Sequence, residues 1–526
     1  MTSPAVDEVV VETLPFGGSA LARAMLDGTL PGALDARALM GRGAIVAHAR
    51  MVLSRFTPAR RAALEAWLGD ATALSAAPEP VRTRLTAAVQ QGLVITTGQQ
   101  PGLFGGPLYT WHKALSAIAL ADALTELLQL PVAPLFWAAT DDADFAEGQA
   151  TWLPTHAGAQ RIAIEAPPLA GGTRPVSTLP LPEMAAAIGA LEAAAGSNAD
   201  AQVLAVARSA YRAPHTVGDA YVALLRGLLE SRGMAVLDAS HVSVRRAAHD
   251  ITSGALRRAV EVDAALVIRE RALAAAGHVA QVERMEGQSL VFAWTADGKQ
   301  RVSIAEAASR AVAAAPGTLS GNVLLRPIIE SALLPTAAYV AGPGELAYFA
   351  QLGAVADALG VDVPRAVARW SARVLEPRVQ RAVDALGIPT AAYADAERVL
   401  HDLSSAALPE ATRTALADAR AQLDASMRAV AIATESLALP SPVLDGAQRQ
   451  IGHRLERLER RIVAHAARQD GARRAQVQLV AGSLYPGGTA QERRLNALPL
   501  LARFGDALWT AWRAGAARWA RSLLSD

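Results

Sequence analysis

Residues 93–147 read LVITTGQQPGLFGGPLYTWHKALSAIALADALTELLQLPVAPLFWAATDDADFAE, and the predicted fold rests on them. It begins with a β-branched apolar run, Leu93 to Thr97, and passes through a loop that contains four glycines. A helical pattern of about six turns follows, and a second apolar run, Val132 to Ala138, comes after Pro131. Two short apolar strands joined by such a helix form a βαβ unit. We therefore predict an α/β protein with a parallel sheet that is covered on both faces.

Polar residues follow both predicted strands at their carboxyl ends. The glycine loop follows the first strand, and the carboxylates of Asp141, Asp142 and Asp144 follow the second. Ligands of open α/β sheets collect at this edge, so we expect the site there. Pro107 suits the first helical position, and the free N–H groups of that helix would then favour a phosphate or a carboxylate.

The same arrangement recurs in residues 336–360, TAAYVAGPGELAYFAQLGAVADALG. Gly342, Pro343 and Glu345 lie between a strand and a helix, as Gly106 and Pro107 do in the first unit. If both strands belong to one parallel sheet, two helix N-termini approach the same crevice. This recurrence is the best internal indication of a site.

Composition excludes several classes of function. The chain has 526 residues, with 50 basic and 49 acidic side chains, so net charge gives no case for nucleic acid or an anionic membrane. It has no cysteine, which excludes disulfides, thiolate metal sites and a cysteine nucleophile. The N-terminus carries acids where a signal peptide needs basic residues. The most apolar helix is interrupted by Asp122 and Glu126. We expect a soluble, cytoplasmic protein.

Two segments read as insertions. The first insertion is residues 148–232, which are rich in proline, including Pro168, and then rich in alanine. Residues 1–90, by contrast, look mostly helical. Residues 279–304 show period-two runs, VAQVERM, SLVFAWT and QRVSI, and an Asp297-Gly298 turn, which predicts a small antiparallel sheet. We assign that sheet to a second insertion, at about residues 250–320.

The C-terminal third changes character. Residues 391–478 have few aromatic side chains and form long helical segments, with Pro440 and Pro442 between two arms. The apolar positions of a coiled-coil seam are Ile451, Leu455, Leu458 and Ile462. We favour an antiparallel hairpin that dimerises over a long parallel zipper. Residues 479–526 contain the aromatic side chains of Phe504, Trp509, Trp512 and Trp519 and are expected to pack back onto the core.

Five segments carry a resemblance to a known family, although the Walker loop, the GxGxxG opening, HExxH and GxSxG are all absent. They are TTGQQPGLFGGPLYTWHK (96–113), PLFWAATDDADFAE (134–147), NVLLRPIIESALLPTAAYVAGPGELAYFAQL (322–352), LEPRV (375–379) and YPGGTAQERRLNAL (485–498). The chain is similar, along nearly its whole length, to the cysteine-adding enzymes of bacillithiol biosynthesis. The resemblance implies a Rossmann-like core (1–390) with two connecting-peptide insertions, and a coiled-coil domain (391–478) that forms a homodimer. It also implies a ligase that joins L-cysteine to glucosamine malate.

Amide formation from a free carboxylate needs activation, most economically by a nucleotide, and this chemistry suggests roles for residues of the predicted site. Thr97, Gly98, Gln99 and Gln100 would form its floor, and Lys113 or Arg326 would neutralise developing charge. The helix starts at Gly106-Pro107 and at Gly342, Pro343 and Glu345 would hold the phosphates of ATP or ADP. His112 would act as a base.

The carboxylates have several possible roles in that site. Asp141, Asp142 and Asp144 would bind sugar hydroxyls, the cysteine ammonium or magnesium, although no complete set of metal ligands is assigned. The structural alternatives are that His112 and Lys113 only solvate their helix and that the carboxylates cap a turn.

One departure from the family pattern bears on function. The family reads EDHDF where this chain has Asp141-Asp142-Ala143-Asp144-Phe145, so a histidine is missing and a glutamate is shortened. Neither a HIGH nor a KMSKS motif occurs. The use of a nucleotide is therefore inferred only from the Rossmann-like fold that the resemblance implies. Two other functions stay open: a nucleotidyl or other group transferase on the same core, and a non-catalytic coiled-coil binding protein with a remnant pocket.

Overall fold

The computed structural model describes residues 8–31, 34, 39, 41–156, 158–167, 174–197, 199–437, 441–469 and 471–525. Pro168 and Pro440 lie outside the described residues. The chain divides into two compact units. A core unit contains Val9–Pro154, Gln160–Leu375 and Glu492–Asp526, and a helical unit contains Thr155–Ala159 and Glu376–Gln491.

The twelve described strands are β1 (Val10–Thr13), β2 (Leu93–Gln99), β3 (Val132–Ala138), β4 (Ala150–Thr155), β5 (Gly158–Ala163), β6 (Ala235–Asp238), β7 (Gln288–Thr295), β8 (Gly298–Ser303), β9 (Leu319–Gly321), β10 (Thr336–Ala341), β11 (Ala366–Ala368) and β12 (Ala372–Leu375).

The described α-helices are α1 (Ala20–Leu26), α2 (Gly41–Arg55), α3 (Pro58–Thr72), α4 (Glu79–Gln91), α5 (Leu108–Leu128), α6 (Phe145–Gly148), α7 (Ala185–Ala195), α8 (Ala201–Ala210), α9 (Val217–Leu229), α10 (Val242–Ala247), α11 (His249–Arg257), α12 (Ala259–Ala275), α13 (Ile304–Ala313), α14 (Leu325–Leu333), α15 (Pro343–Leu359), α16 (Pro377–Leu386), α17 (Ala396–Ala406), α18 (Glu410–Ala433), α19 (Ser441–Gln469), α20 (Gly471–Leu484), α21 (Gln491–Arg494) and α22 (Leu498–Leu523).

A five-stranded parallel sheet forms the centre of the core unit. Its strand order is β11-β10-β2-β3-β6, and every pairing is parallel. All seven residues of β3 are buried. Because successive side chains of a strand point to opposite faces, this burial means that both faces of the sheet are covered. The predicted parallel sheet and its first βαβ unit, β2-α5-β3, are confirmed.

The described part of the first 90 residues is mostly helical, but one short strand was missed. β1 pairs antiparallel with β12, so that Val10 lies opposite Leu375. Four residues without a clear alternation of apolar and polar side chains give little strand signal. Their partner lies more than 350 residues away in the sequence. The pairing is therefore a product of tertiary structure.

The second insertion contains the predicted hairpin. β7 pairs with β8, with Thr295 opposite Gly298, so the turn is Ala296-Asp297, one residue before the predicted Asp297-Gly298, and β9 adds a third strand. The run VAQVERM, however, is not a strand. The buried side chain of Gln351 accepts a hydrogen bond from Val282 N (3.0 Å) and donates one to Val282 O (2.8 Å). A side chain thus satisfies backbone groups that a neighbouring strand would otherwise satisfy.

Two long helices of the helical unit form an antiparallel pair. Arg420 of α18 binds Glu459 of α19 at 2.7 Å, and Gln448 of α19 binds Asp424 of α18 at 3.0 Å. Residue numbers that increase along α18 therefore pair with residue numbers that decrease along α19, so the two helices run antiparallel. The seam is partly uncovered, because Ile451 is 45% and Leu458 is 51% exposed. The predicted antiparallel hairpin is present.

The last helix, α22, packs against α5 within the core unit. Trp509 lies edge-on to Trp111, with ring centroids 6.1 Å apart, and Trp512 is fully buried. Gly515 lets α22 also lie close to Trp370, which follows β11, because a Cβ at Gly515 would lie 2.4 Å from that ring. Within the described parts of the chain, no helix has the length and apolarity needed to cross a membrane.

Candidate active site

The candidate site lies at the carboxyl edge of the sheet, where the strand order reverses. The chain runs from β2 to β3 and β6 on one side and later adds β10 and β11 on the other. Loops after β2 and β10 therefore diverge at this edge and leave a crevice, which is the usual ligand position in such sheets.

Lys113 fixes the glycine loop at this crevice. Its side chain is 3% exposed, and its ammonium donates to Gly98 O (2.7 Å) and Gln99 Oε1 (2.9 Å) and forms an ion pair with Glu345. An ammonium has three donors, so these three acceptors satisfy it fully. Burial lowers the pKa of Lys113, whereas Glu345 acts to raise it. Lys113 is therefore a buried, fully bonded cation that joins β2, α5 and α15.

Glu345 occupies the start of α15. Its carboxylate accepts the Gly342 N–H (2.8 Å) and the hydroxyl of Tyr339. Burial acts to raise the pKa of Glu345, but Lys113 and then Arg326 outweigh it and hold that pKa below its ordinary value. A carboxylate of this chain thus takes the position at the helix N-terminus that a bound anion would use.

Arg326 lies beside this carboxylate and faces the crevice. Its guanidinium binds Glu330 (3.2 Å) and the hydroxyls of Tyr339 (3.1 Å) and Tyr348 (3.0 Å). Burial raises the pKa of Glu330 to about 7, although Arg326 opposes that rise. Arg326 is thus held in place by internal partners, and its role in neutralising developing charge stays a prediction.

Gln100 and Asp142 face the crevice from the other side. Gln100 Nε2 donates to Asp142 Oδ2 (2.9 Å), and the Asp144 N–H donates to Asp142 Oδ1 (2.8 Å). Asp144 is exposed and caps α6 by accepting the Glu147 N–H (3.0 Å). Asp142 therefore has an oriented carboxylate, whereas Asp144 has the capping role that was the structural alternative.

The crevice opens into a cavity of about 660 Å³ between the sheet edge and the second insertion. Gly98, Gln99, Gln100, Arg326 and Glu345 line one wall. Residues of the same wall that follow β3 are Asp141, Asp142, Ala143 and Asp144. The opposite wall comes from α12 and the β7–β8 hairpin. The volume is typical of a small-molecule site.

Two cations of the hairpin face this cavity and were missed from the sequence. Lys299 Nζ and the Arg301 guanidinium lie 4.8 and 4.5 Å from the ring centre of Phe292. Lys299 Nζ also lies 3.8 Å from Asp141. Lys113 and Lys299 are the only lysines of the chain, among 50 basic residues. That rarity was a signal in the sequence, since both lysines lie at this site.

The two predicted helix starts do not share one crevice. Gly106 and Pro107, at the start of α5, line a separate pocket of about 350 Å³. Gln99 and Gln100 form a wall common to this pocket and the cavity. Gly342 and Pro343 lie behind Glu345, which itself faces the cavity.

Two further predicted residues lie away from the cavity. Thr97 is buried in the sheet and donates to Val340 O at 2.9 Å. His112 has no exposed surface, and its Nδ1 lies 3.3 Å from Glu492 Oε2. Its ring packs near Trp370 and Trp512. His112 therefore holds a packing position, and its predicted role as a base lacks access to a substrate.

Asn496 is a further residue that the sequence did not identify. It is fully buried, and its amide nitrogen lies within 3.2 Å of the carbonyl oxygens of Leu103, Phe104 and Gly106. A single side chain from the C-terminal segment therefore clamps the glycine loop. Asparagine in a short apolar stretch gave no signal of this long-range role.

No metal site forms at the acidic edge as it stands. In the described ranges, no three His, Asp or Glu side chains converge in a way that could hold a metal ion. The carboxylates of Asp142 and Asp144 are engaged by the hydrogen bonds described above.

Comparisons with known proteins identify relatives of this chain. Residues 48–370 match the family model of the N-terminal Rossmann-like domain of bacillithiol biosynthesis BshC, and residues 372–512 match its C-terminal coiled-coil domain. A protein of Solibacter usitatus named "Putative cysteine ligase BshC" is 32% identical over 476 residues, which cover 86% of each chain. A protein of the same name from Salinibacter ruber is 30% identical over 79% of each chain.

We predict that His112 makes the core unit sensitive to acid. Burial lowers the pKa of His112, so below about pH 6.5 the unfolded chain binds a proton that the folded chain does not. Burial alone would raise the pKa of Glu492, but His112 and Arg369 lower it to about 2, so its contribution is lost at lower pH, from about 4.5 downwards. His112→Gln should remove the upper window, where the slope reaches about 1.4 kcal/mol per pH unit.

Urea unfolding at several pH values measures this change. The control is His453→Gln, because His453 lies 3.2 Å from Glu456 but its side chain is 75% exposed. If His112→Gln leaves the pH dependence of the free energy of unfolding between about 4.5 and about 6.5 unchanged, the buried neutral histidine is ruled out.

Proposed function

Because the chain belongs to the bacillithiol biosynthesis BshC family, we propose that it is a ligase that joins the carboxyl group of L-cysteine to the amine of glucosamine malate. The names of its relatives support cysteine as a substrate. The cavity of about 660 Å³ at the reversal of strand order supports a small-molecule reaction at that edge. The transferase and the non-catalytic binding protein lack comparable support.

The oriented carboxylate of Asp142 is the observation that carries the proposal. An amine that attacks an acyl group must lose a proton, and a carboxylate within hydrogen-bond reach can accept it. Asp142 faces the cavity and is held from both sides by Gln100 and by the Asp144 N–H. We assign the proton transfer to Asp142, since Ala143 offers no titratable group and His112 is enclosed.

Nucleotide dependence is a further part of the proposal. A free carboxylate is a poor acylating group, and ATP, when bound, would supply its activation. Lys113 and Glu345 neutralise each other, and Arg326 is engaged by Glu330 and two tyrosines. This cluster therefore serves to hold Gly98, Gln99 and Gln100 in place, where their polar groups can orient the cysteine carboxyl group. Magnesium would accompany the nucleotide.

The cavity wall formed by the β7–β8 hairpin supports glucosamine malate as the acceptor substrate. Glucosamine malate carries a primary amine on its sugar and two carboxylates on its malate. Lys299 and Arg301 place two cations in the cavity wall opposite Asp142. We propose that they bind the malate carboxylates, which would leave the amine toward Asp142. Charge-assisted hydrogen bonds of this kind also distinguish the acceptor from an uncharged sugar.

We predict that purified protein forms bacillithiol from L-cysteine, glucosamine malate, ATP and magnesium, and that Asp142→Asn lowers kcat about 100-fold. Asp144→Asn is the matched control, because asparagine still caps α6 and the same charge is removed two residues away. Mass spectrometry of the product, with and without ATP, measures both effects.

Product without ATP would contradict the nucleotide requirement, and no product under any condition would contradict the ligase. An equal loss of kcat in Asp142→Asn and Asp144→Asn would show that general charge at this edge, and not a base at Asp142, sets the rate.

We predict that replacing both hairpin cations by methionine, in Lys299→Met/Arg301→Met, raises KM for glucosamine malate about tenfold or more. With glucosamine as the amine acceptor, KM should stay unchanged because the malate carboxylates are absent. Steady-state kinetics with both acceptors measures this difference, and the exposed Arg271→Met in the same insertion is the control. Similar increases in KM for the two acceptors would refute malate recognition by this wall.

Homodimerisation through the helical unit also belongs to the proposal. Ile451 and Leu458 lie on the seam of α19 and are about half exposed in the single chain, at 45% and 51%. Apolar seam positions of paired helices are normally covered by a partner helix. A second copy that lies against this seam would remove both side chains from water.

We predict that Ile451→Asp/Leu458→Asp converts a dimer into monomers, because two buried like charges cannot be accommodated in an apolar seam. Sedimentation velocity of the full chain measures the mass, and Arg457→Asp on the exposed face of α19 is the control. A double variant that sediments as the wild type does would exclude this seam as the interface.

A further inference from the structure

We propose that Glu330 is a positioning residue that takes up one proton from the solvent when the carboxylate of L-cysteine binds beside Arg326. The proposal rests on the proposed function for the identity of that carboxylate. Glu330 does not line the cavity, so it acts on the substrate only through Arg326. Binding of the substrate and protonation of Glu330 then form one coupled equilibrium.

Arg326 presents unused donors to the cavity. A guanidinium has five N–H donors. Nη2 donates to the hydroxyls of Tyr339 and Tyr348, and Nη1 donates to Glu330. The described residues supply no further acceptor within hydrogen-bond distance of this guanidinium. Nη1 lies next to Gly98, because a Cβ there would lie 3.6 Å from it. A substrate carboxylate at the wall formed by Gly98, where the proposed function places it, therefore lies beside Arg326.

The charges of this buried cluster balance only while Glu330 is ionised. Lys113 and Glu345 form an ion pair with each other. Glu330, at 3.2 Å, is then the carboxylate that balances Arg326. A substrate carboxylate at the same guanidinium would add a third negative charge to two cations, at a position that is largely shielded from water. A proton on Glu330 restores the balance and leaves the charge of Arg326 to the substrate.

No other group of the cluster can make this change as easily. The side chain of Glu330 is 2% exposed. Burial raises the pKa of the two tyrosines, so their phenols stay neutral, and the ion pair of Lys113 and Glu345 holds both of those charges. The described titratable groups around Glu330 are Arg326 on α14, Lys113 on α5, Tyr339 on β10, and Glu345 and Tyr348 on α15.

The hydroxyl of Thr96 allows Glu330 to change its protonation state without repacking. Thr96 has no exposed surface and lies beside Glu330, and its hydroxyl forms no hydrogen bond of ordinary geometry with the described residues. A hydroxyl can donate to a carboxylate and can also accept from a carboxylic acid. Because buried polar groups are nearly always satisfied, Thr96 can serve as the partner of Glu330 in either state.

Glu330 is poised to exchange a proton near neutral pH. Burial raises its pKa to about 7, although Arg326 opposes that rise. At about pH 7 the free protein therefore holds about half a proton at this carboxyl group, and a bound anion draws in the rest. Below about pH 6 Glu330 is already protonated, so the affinity for L-cysteine should be level there. Above about pH 7 that affinity should fall by up to about tenfold per pH unit.

Calorimetric titration of the full chain with L-cysteine, in two buffers of different ionisation enthalpy, counts the protons taken up. At about pH 7 the wild type should take up about half a proton more per bound L-cysteine than Glu330→Gln, whose side chain stays neutral. Protons from the ligand's own amine and thiol cancel in this difference.

Glu230→Gln is the matched control for this titration. Glu230 has the same i,i+4 relation to Arg226, burial also raises its pKa, and it does not line the cavity. Its proton count should equal that of the wild type.

Glu330→Gln should also bind L-cysteine more tightly than the wild type as the pH rises. The two affinities should agree within about twofold at about pH 6, and the variant should bind about tenfold more tightly at about pH 8, because the wild type must first take up a proton. Lost packing would not produce this gain. If the variant does not fold, the wild type alone decides, since its proton count should rise from near zero at about pH 6 to about half at about pH 7.

Equal proton counts in the wild type and Glu330→Gln, parallel pH profiles of their affinities, or no binding of L-cysteine would overturn the proposal. None of these measurements needs turnover. A wild type that takes up the proton but forms no bacillithiol would refute the ligase and leave the coupling standing. Formation of bacillithiol with equal proton counts in the two proteins would refute the coupling and leave the ligase standing.

Discussion

The buried ammonium of Lys113 is the contact on which the site depends. It binds the end of β2 through Gly98 O and Gln99 Oε1, and it binds α15 through Glu345. Taking a charge out of water costs several kcal/mol, and only a full set of acceptors offsets that cost. Gly98 lets β2 lie close to β3 at this point, since a Cβ there would lie 2.7 Å from Trp137 O. One cation therefore fixes both sides of the crevice to each other.

The acidic partners of Arg326 show how this cluster divides its charge. Glu330 and Glu345 lie 3.2 and 3.7 Å from the same guanidinium. Burial raises the pKa of Glu330 to about 7, whereas Lys113 and Arg326 hold the pKa of Glu345 below its ordinary value. Lys113 binds Glu345 directly, so negative charge is favoured at the start of α15.

The sequence predicts the parts of this protein that local pattern determines. The parallel sheet follows from apolar runs of fixed length, and the hairpin follows from the Asp297-Gly298 pair. Positions at the ends of strands were also predictable, because parallel strands share one edge. The sequence pattern therefore predicts that Gln100 and Asp142 lie at one edge of the sheet, and in the structure Gln100 donates a hydrogen bond to Asp142.

Contacts between distant residues were beyond such prediction. Asn496 clamps a loop nearly 400 residues earlier, and Glu492 pairs with His112. Asparagine, glutamate and histidine are all common in helices and loops. The residue type alone therefore does not indicate which distant partner the side chain contacts. The VAQVERM run shows the same limit. Its apolar and polar residues alternate as in a strand, but the side chain of Gln351, and not a neighbouring strand, binds the backbone N–H and C=O of Val282.

One face of α15 connects the charge cluster with the far wall of the cavity. Glu345, Tyr348, Gln351 and Val355 recur at helical spacing, and all four line the cavity. Glu345 binds Lys113, Tyr348 binds Arg326, and Gln351 holds Val282 of the second insertion. The sheet edge and the insertion are therefore positioned by the same rigid helix. A ligand that spans the cavity contacts two walls whose separation α15 sets, which explains how residues more than 180 positions apart can form one site.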